Sequence, residues 1–341
     1  MKYAIAASLF ALMLVVSYAF DTKPEEIKFV VPDGWPKPVY NFAKNKLTID
    51  GFKLGRKLFY DPVLSADHST SCASCHSQYS GFTHVDHGFS HGIHGLKGKR
   101  NSLTLFNLAW NTSFMWDGGI NNLEVQPLGP ITSPVEMGNT LENIVKSLDT
   151  SKGYHTRFYL AFGDTAITGQ HVLKALAQFL VMFQSYNSKY DKYVRHEPGG
   201  EFTEQEKNGL KLFRKHCETC HNEPLFTNNS FQNIGLAVDT ELKDYGRMMI
   251  TRNRHDSLKF KVPSLRNVQM SYPYMHDGRF NTLMQVMDHY TDGIVDGPTL
   301  AKEFRKPMIL TTDDKKDIIE FMKTLSDKDF ILDPRLKYYK D

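Results

Sequence analysis

The chain has 341 residues, 41 of them Lys or Arg, 38 Asp or Glu and 41% hydrophobic, for a formal charge of +3. That length suits two domains of ordinary size. The near-balance of charge gives no electrostatic basis for nucleic-acid binding, and no long charge run or low-complexity tract interrupts the chain.

The first segment, MKYAIAASLFALMLVVSYAF, has one early lysine, an apolar run from Ala4 to Val16, and small residues before a cut at Ala19/Phe20. It reads as a signal peptide over 1–19. The run is shorter than the ~20 residues that a spanning helix needs. The sequence therefore predicts an exported, periplasmic protein with no transmembrane segment in its mature chain.

Next, GFKLGRKLFYDP (51–62) leads into SCASCHSQ (71–78), and farther on TEQEKNGLKLFRKH (203–216) leads into HCETCHNE (216–223). All four cysteines fall in these two stretches, as Cys72, Cys75 and His76, then Cys217, Cys220 and His221. Cys-x-x-Cys-His is the spacing at which two thiols bond the vinyl groups of one haem while the histidine reaches its iron. A dithiol redox motif needs no such histidine, and a four-thiolate zinc site leaves both histidines unexplained. Two covalently bound haem c groups are therefore expected. The loop after the first motif, HVDHGFSHGIHGLKGKRN, carries His84, His87, His91 and His94, which as bare sequence are equally well solvated loop residues.

NLAWNTSFMWDGGINNL (107–123) and NVQMSYPYMHDGRFNTL (267–283) share an initial Asn, a central Met-x-Asp-Gly and a final Asn-x-Leu. Each follows one haem motif, so internal duplication of a cytochrome-like unit is expected. Between the copies, Val172, Leu173, Leu176, Phe179, Leu180 and Phe183 form an apolar helical face. Pro198-Gly199-Gly200 then marks a linker at 195–202. Thr203 and Glu206 form a capping box, and a last helix starts at Thr312 or Asp313. Few stretches alternate as strands. The expectation is a mainly α protein of two cytochrome c-like haem domains, 20–194 and 203–341, with long loops.

The segments RNSLTLFNLAWNTSFMWDGG…EVQPLGPITSPVEMGN and FKVPSLRNVQMSYPYMHDGRFNTL resemble the two domains of bacterial di-haem cytochrome c peroxidases. That superfamily is shared with the di-haem enzyme that matures the quinone cofactor of methylamine dehydrogenase. The resemblance runs from about Leu54 to Leu325. It implies an N-terminal peroxidatic haem, a C-terminal electron-transfer haem, and reduction of H2O2 with electrons from a small cytochrome c or cupredoxin. His76 and His221 would be proximal iron ligands, Trp116 would lie between the haems, and Gln126 and Glu136 would form the distal peroxide pocket. Standing alone, Trp116 reads as a core aromatic and Glu136 as a surface glutamate.

The resemblance also implies a calcium ion held by Asn101, Ser271 and Pro273, with its occupancy open. A resting distal ligand of the first haem would be His91 or His94, which flank the aligned position at Ile93. At the second haem the position usual for methionine falls on Tyr290, as in the quinone-maturing relative, with Met287 or Met284 as the alternative. Two rival readings stand beside the peroxidase: an oxidase that modifies a partner protein by radical chemistry, and a non-catalytic di-haem electron-transfer cytochrome. The oligomeric state stays open, a homodimer included.

Overall fold

The computed structural model describes residues 24–85 and 87–339, and the proposed signal peptide lies outside them. The fold is helix-rich. Its principal helices are α1 (Ile49–Tyr60), α2 (Leu141–Asp149), α3 (Lys152–Phe162), α4 (Gly169–Leu180), α5 (Lys189–Val194), α6 (Glu204–His216), α7 (Leu283–Asp292) and α8 (Thr312–Lys323). Among the described residues the only sheet is a pair of two-residue strands, β1 (Phe231–Gln232) and β2 (Phe260–Lys261), antiparallel with Phe231 opposite Lys261. No helix among the described residues is long and apolar enough to cross a membrane.

Two hydrophobic clusters organise the chain. The first gathers Leu54, Leu58 and Phe59 of α1, Phe158 of α3 and Leu176 and Phe179 of α4, with Phe82 and Phe183 stacked at 3.9 Å between ring centroids. The predicted apolar face is thus real, although Phe183 lies past the end of α4. The second cluster holds Phe213 of α6, Phe226, and Ile318 and Phe321 of α8.

Each cluster rests on one close helix crossing. A Cβ on Gly55 of α1 would lie 2.0 Å from the Ala175 carbonyl oxygen of α4. A Cβ on Gly209 of α6 would lie 2.0 Å from that of Asp317 on α8. Only glycine allows backbones to approach so closely. The backbones of the two similar segments also follow one course. Asn107 and Asn267 have φ of 54° and 56°, Met115 and Met275 of 67° and 75°, and Gly118 and Gly278 of 70° and 66°. Phe114 pairs with Ile120 as Tyr274 pairs with Phe280.

Local capping sets the second set of helices. Thr203 caps α6 in a capping box with Glu206, as expected. Helix α8 begins at Thr312, as expected, with Thr311 as its cap in a box with Asp314, and a four-residue helix, Lys328–Ile331, follows it. The segment 195–202 is no loose connector: Phe202 is buried and stacks on Tyr193 at 4.0 Å. Tyr190 of α5 already belongs to the second cluster, while Phe330, Ile331 and Leu336 return to the first. The packing therefore changes cluster between Phe183 and Tyr190, ahead of the glycine pair.

Candidate haem and peroxide site

The first Cys-x-x-Cys-His stretch forms one helical turn, Cys72–Cys75, with the His76 amide bound to the Cys72 carbonyl at 3.0 Å. The ring Nδ1 of His76 lies 2.8 Å from the carbonyl oxygen of Phe82. A carbonyl only accepts, so Nδ1 carries the proton and Nε2 keeps a bare lone pair. Burial pushes the imidazole down to about 4, which keeps it neutral. His221 repeats the arrangement, with Nδ1 at 3.1 Å from the Phe226 carbonyl and burial again pushing it to about 4. Phe82 and Phe226 both take positive φ, 58° and 54°, to turn their carbonyls toward these rings. Both histidines are thus prepared as metal ligands.

The surroundings of the thiols bear on the same choice between haem, redox dithiol and zinc. All four are free. Burial pushes Cys72 and Cys217 up to about 12, and Cys75 and Cys220 also upward. A redox dithiol needs the opposite shift. The two pairs pack against different clusters, and no three His, Cys, Asp or Glu among the described residues converge on a metal position.

His76 faces a cavity of about 710 Å³ whose walls include Gln126 and Glu136 as well as Trp116. Glu136 is held on a turn in which its amide donates to Ser133 O at 3.1 Å. Burial raises its carboxyl above the ordinary range, partly offset by a hydrogen bond from Ser133. The amide nitrogen of Gln126 has only a weak contact, at 4.0 Å, with the Met115 sulfur, and remains available to a ligand. Cys217, Cys220 and His221 line a second, narrower cavity together with Met287 and Tyr290. Tyr290 stacks on Phe304 at 5.5 Å, and burial pushes its hydroxyl above the usual range. Met287 is buried in that wall, whereas Met284 does not line it.

Trp116 lines both cavities. Its indole N–H donates to the Asn101 carbonyl at 2.8 Å and its own carbonyl accepts from the Lys261 amide at 2.7 Å, so the ring is fixed at the seam. The second cavity is lined by both thiols and the histidine of its motif and the first by His76 of its own, and these walls with their proton-free imidazole nitrogens fit a haem c.

Asn101, Ser271 and Pro273 also meet at this seam. The Asn101 amide donates to the Pro273 carbonyl, and its own side-chain oxygen is buried with no hydrogen-bond partner. A hard cation such as Ca²⁺ would satisfy that oxygen together with the neighbouring carbonyls.

The loop histidines do not meet the expectation. Neither His91 nor His94 lines the first cavity. The Ile93 amide donates to the Glu136 carbonyl at 2.8 Å and the Ile93 side chain is buried, while His91 and His94 are exposed. His91 instead meets His87, ring nitrogen to ring nitrogen at 3.0 Å, and His94 lies 3.6 Å from Asp67. Sequence reasoning missed Lys261, a buried lysine on β2 that lines both cavities. Its only sequence signal is a lone cation between Phe260 and Val262.

Residues 50–199 match the family profile described as di-haem cytochrome c peroxidase. The methylamine utilization protein MauG of Methylorubrum extorquens is 34% identical over 304 residues, covering 87% of this chain and 83% of that protein. The cytochrome c551 peroxidase of Nitrosomonas europaea is 35% identical over 281 residues, covering 81% of this chain and 80% of its own. This chain belongs to the di-haem cytochrome c peroxidase family. Membership implies two haem c groups, one for each Cys-x-x-Cys-His motif. A solved family structure, a MauG-like protein associated with microbial copper homeostasis, superposes with a TM-score of 0.79. It is 30% identical, and the match covers 91% of this chain and 99% of that one.

Proposed function

We propose that this chain is a periplasmic di-haem peroxidase that reduces H2O2 with electrons from a small cytochrome c or cupredoxin. One molecule of H2O2, two electrons and two protons give two waters. The observation that carries the reading is the placement of Gln126 and Glu136 in the same cavity as the lone pair of His76. Cys72 and Cys75 would bond the first haem, with His76 on its iron, and Cys217, Cys220 and His221 would do the same for the second. When bound, the haems supply the redox centre at which the peroxide bond is broken and the route by which electrons reach it.

The chain's own part is proton handling and positioning. Glu136 takes the proton from one peroxide oxygen and returns it to the other, so that the departing oxygen leaves as water. A raised carboxyl suits that exchange, worth about 10²–10⁴ in rate. The Gln126 amide donates to peroxide and orients it. Trp116, pinned from both sides, holds an aromatic bridge between the cavities, and Tyr290, which lines the second cavity with His221, would supply the second iron's further ligand. Asn101, Ser271 and Pro273 would hold calcium at the seam. The matched glycine crossings and the parallel backbone courses of 107–120 and 267–280 support two domains derived by duplication.

Tyr290 favours a second reading, in which the same peroxide chemistry oxidises residues of a partner protein. An oxygen donor holds ferric iron where methionine favours reduction. Turnover assays separate the two. A peroxidase oxidises reduced cytochrome c or cupredoxin with H2O2 at many turnovers per second. Sub-stoichiometric oxidation of every small donor would give the preference to the partner-oxidising reading.

A further inference from the structure

Lys261 is a charge for which the site described so far has no use. It is 5% exposed, lies on β2 beside Trp116, and contributes to the wall of both cavities. The neighbouring cation, Arg100, is already neutralised by Asp117 at 2.6 Å and by a two-pronged contact with Asp244 at 2.6 and 2.9 Å. Among the described residues, by contrast, no carboxylate or other acceptor pairs with the Lys261 ammonium. The remaining acid of the first cavity, Glu136, stands in the proposed peroxide pocket, and Glu303 of the second stands near Cys220.

An unpaired buried ammonium costs several kcal/mol, so such groups either lose their proton or find an anion. The described residues supply no anion here, yet each haem that its family carries brings two carboxylates. We propose that Lys261 is the counter-ion of a haem propionate at the seam between the two cavities. The proposal rests on the di-haem reading. Burial alone pulls the amine down to about 8, and a carboxylate partner would raise it again, so the group is a cation at neutral pH. Paired in this way, Lys261 does more than anchor the cofactor. It offsets negative charge near the iron and holds the reduction potential above what an unpaired propionate would give.

The test is spectroelectrochemical titration of the matured holoprotein, with covalent haem counted first. Lys261→Met should lower the potential of at least one haem, and Lys261→Arg should restore most of the difference. Both results should be independent of added chloride or phosphate. Unchanged potentials in a fully loaded Lys261→Met protein would overturn the proposal. A difference that tracks chloride or phosphate would also overturn it, and would assign the site to an anion from solution. Fewer than two covalent haems per chain would be a failure of the di-haem reading itself. Should Lys261→Met not accumulate, Lys261→Arg still decides, through the propionate bending bands in resonance Raman spectra. They should move in that variant, and unmoved bands would contradict the pairing.

Discussion

Glu136 and Tyr290 are the residues on which activity and scaffold make opposite demands. Burial raises the Glu136 carboxyl above its ordinary 4.5. A raised carboxyl contributes stability below its unfolded value, and that contribution is lost as pH rises through the folded value. At neutral pH the ionised group therefore weighs against folding. Glu136→Gln should keep both haems, melt at the same temperature or higher at pH 7, and lose about 10²-fold or more in kcat. Near-wild-type turnover with a lowered melting temperature would make Glu136 part of the scaffold. Tyr290 is similar, because burial opposes its phenolate and only a metal cation would hold it in that form. If it binds the second iron, Tyr290→Phe removes an anionic donor and should raise that haem's potential. A sulfur-to-iron absorption band present in the wild type and unchanged in Tyr290→Phe would assign the position to a methionine, with Met287 the one in the cavity wall.

At the scale of elements, the short helix α5 shows how the second cluster is tied together. Ser188 caps it in a box with Asp191, and Asp191 also takes two hydrogen bonds from Arg266, at 2.7 and 2.8 Å. Arg266 is fully buried and lies under the Trp35 ring at 4.7 Å, so the early segment, α5 and the stretch after β2 meet at one ion pair. Burial works to raise the Asp191 carboxyl, but the guanidinium overcomes it and holds the group below the usual range. A depressed carboxyl contributes stability above its unfolded value, and loses it as pH falls through the folded value. Arg266→Met strands a buried charge, at about 3–5 kcal/mol. Thermal melts should show most of that loss at neutral pH and little in acid. A loss equal at both pH values would make the effect one of packing alone.

Across the whole molecule, what the sequence discloses is what short segments encode. The haem turns, the capping box at Thr203 and the apolar face of α4 each depend on residues a few positions apart, and each appears as expected. What escaped depends on distant partners. The change of cluster ahead of 195–202 follows from Arg266 reaching back to Asp191, which no local pattern announces. His91 and His94 are exposed, while Ile93 between them is buried and bound by the Glu136 segment 43 positions on. Lys261 gains its place at the seam only when β2 pairs with β1 and meets Trp116. Two cavities share a wall at Trp116 and Lys261, and in the proposed function peroxide is cleaved in the first. Single-turnover mixing of the matured protein with H2O2 tests this most directly, with haem counted after acid–acetone extraction. Two covalent haems per chain should be found, with one equivalent of H2O2 consumed rapidly in the wild type and far more slowly in Glu136→Gln. Two covalent haems that leave H2O2 untouched, both at rest and after partial reduction, would contradict the account and leave an electron-transfer cytochrome.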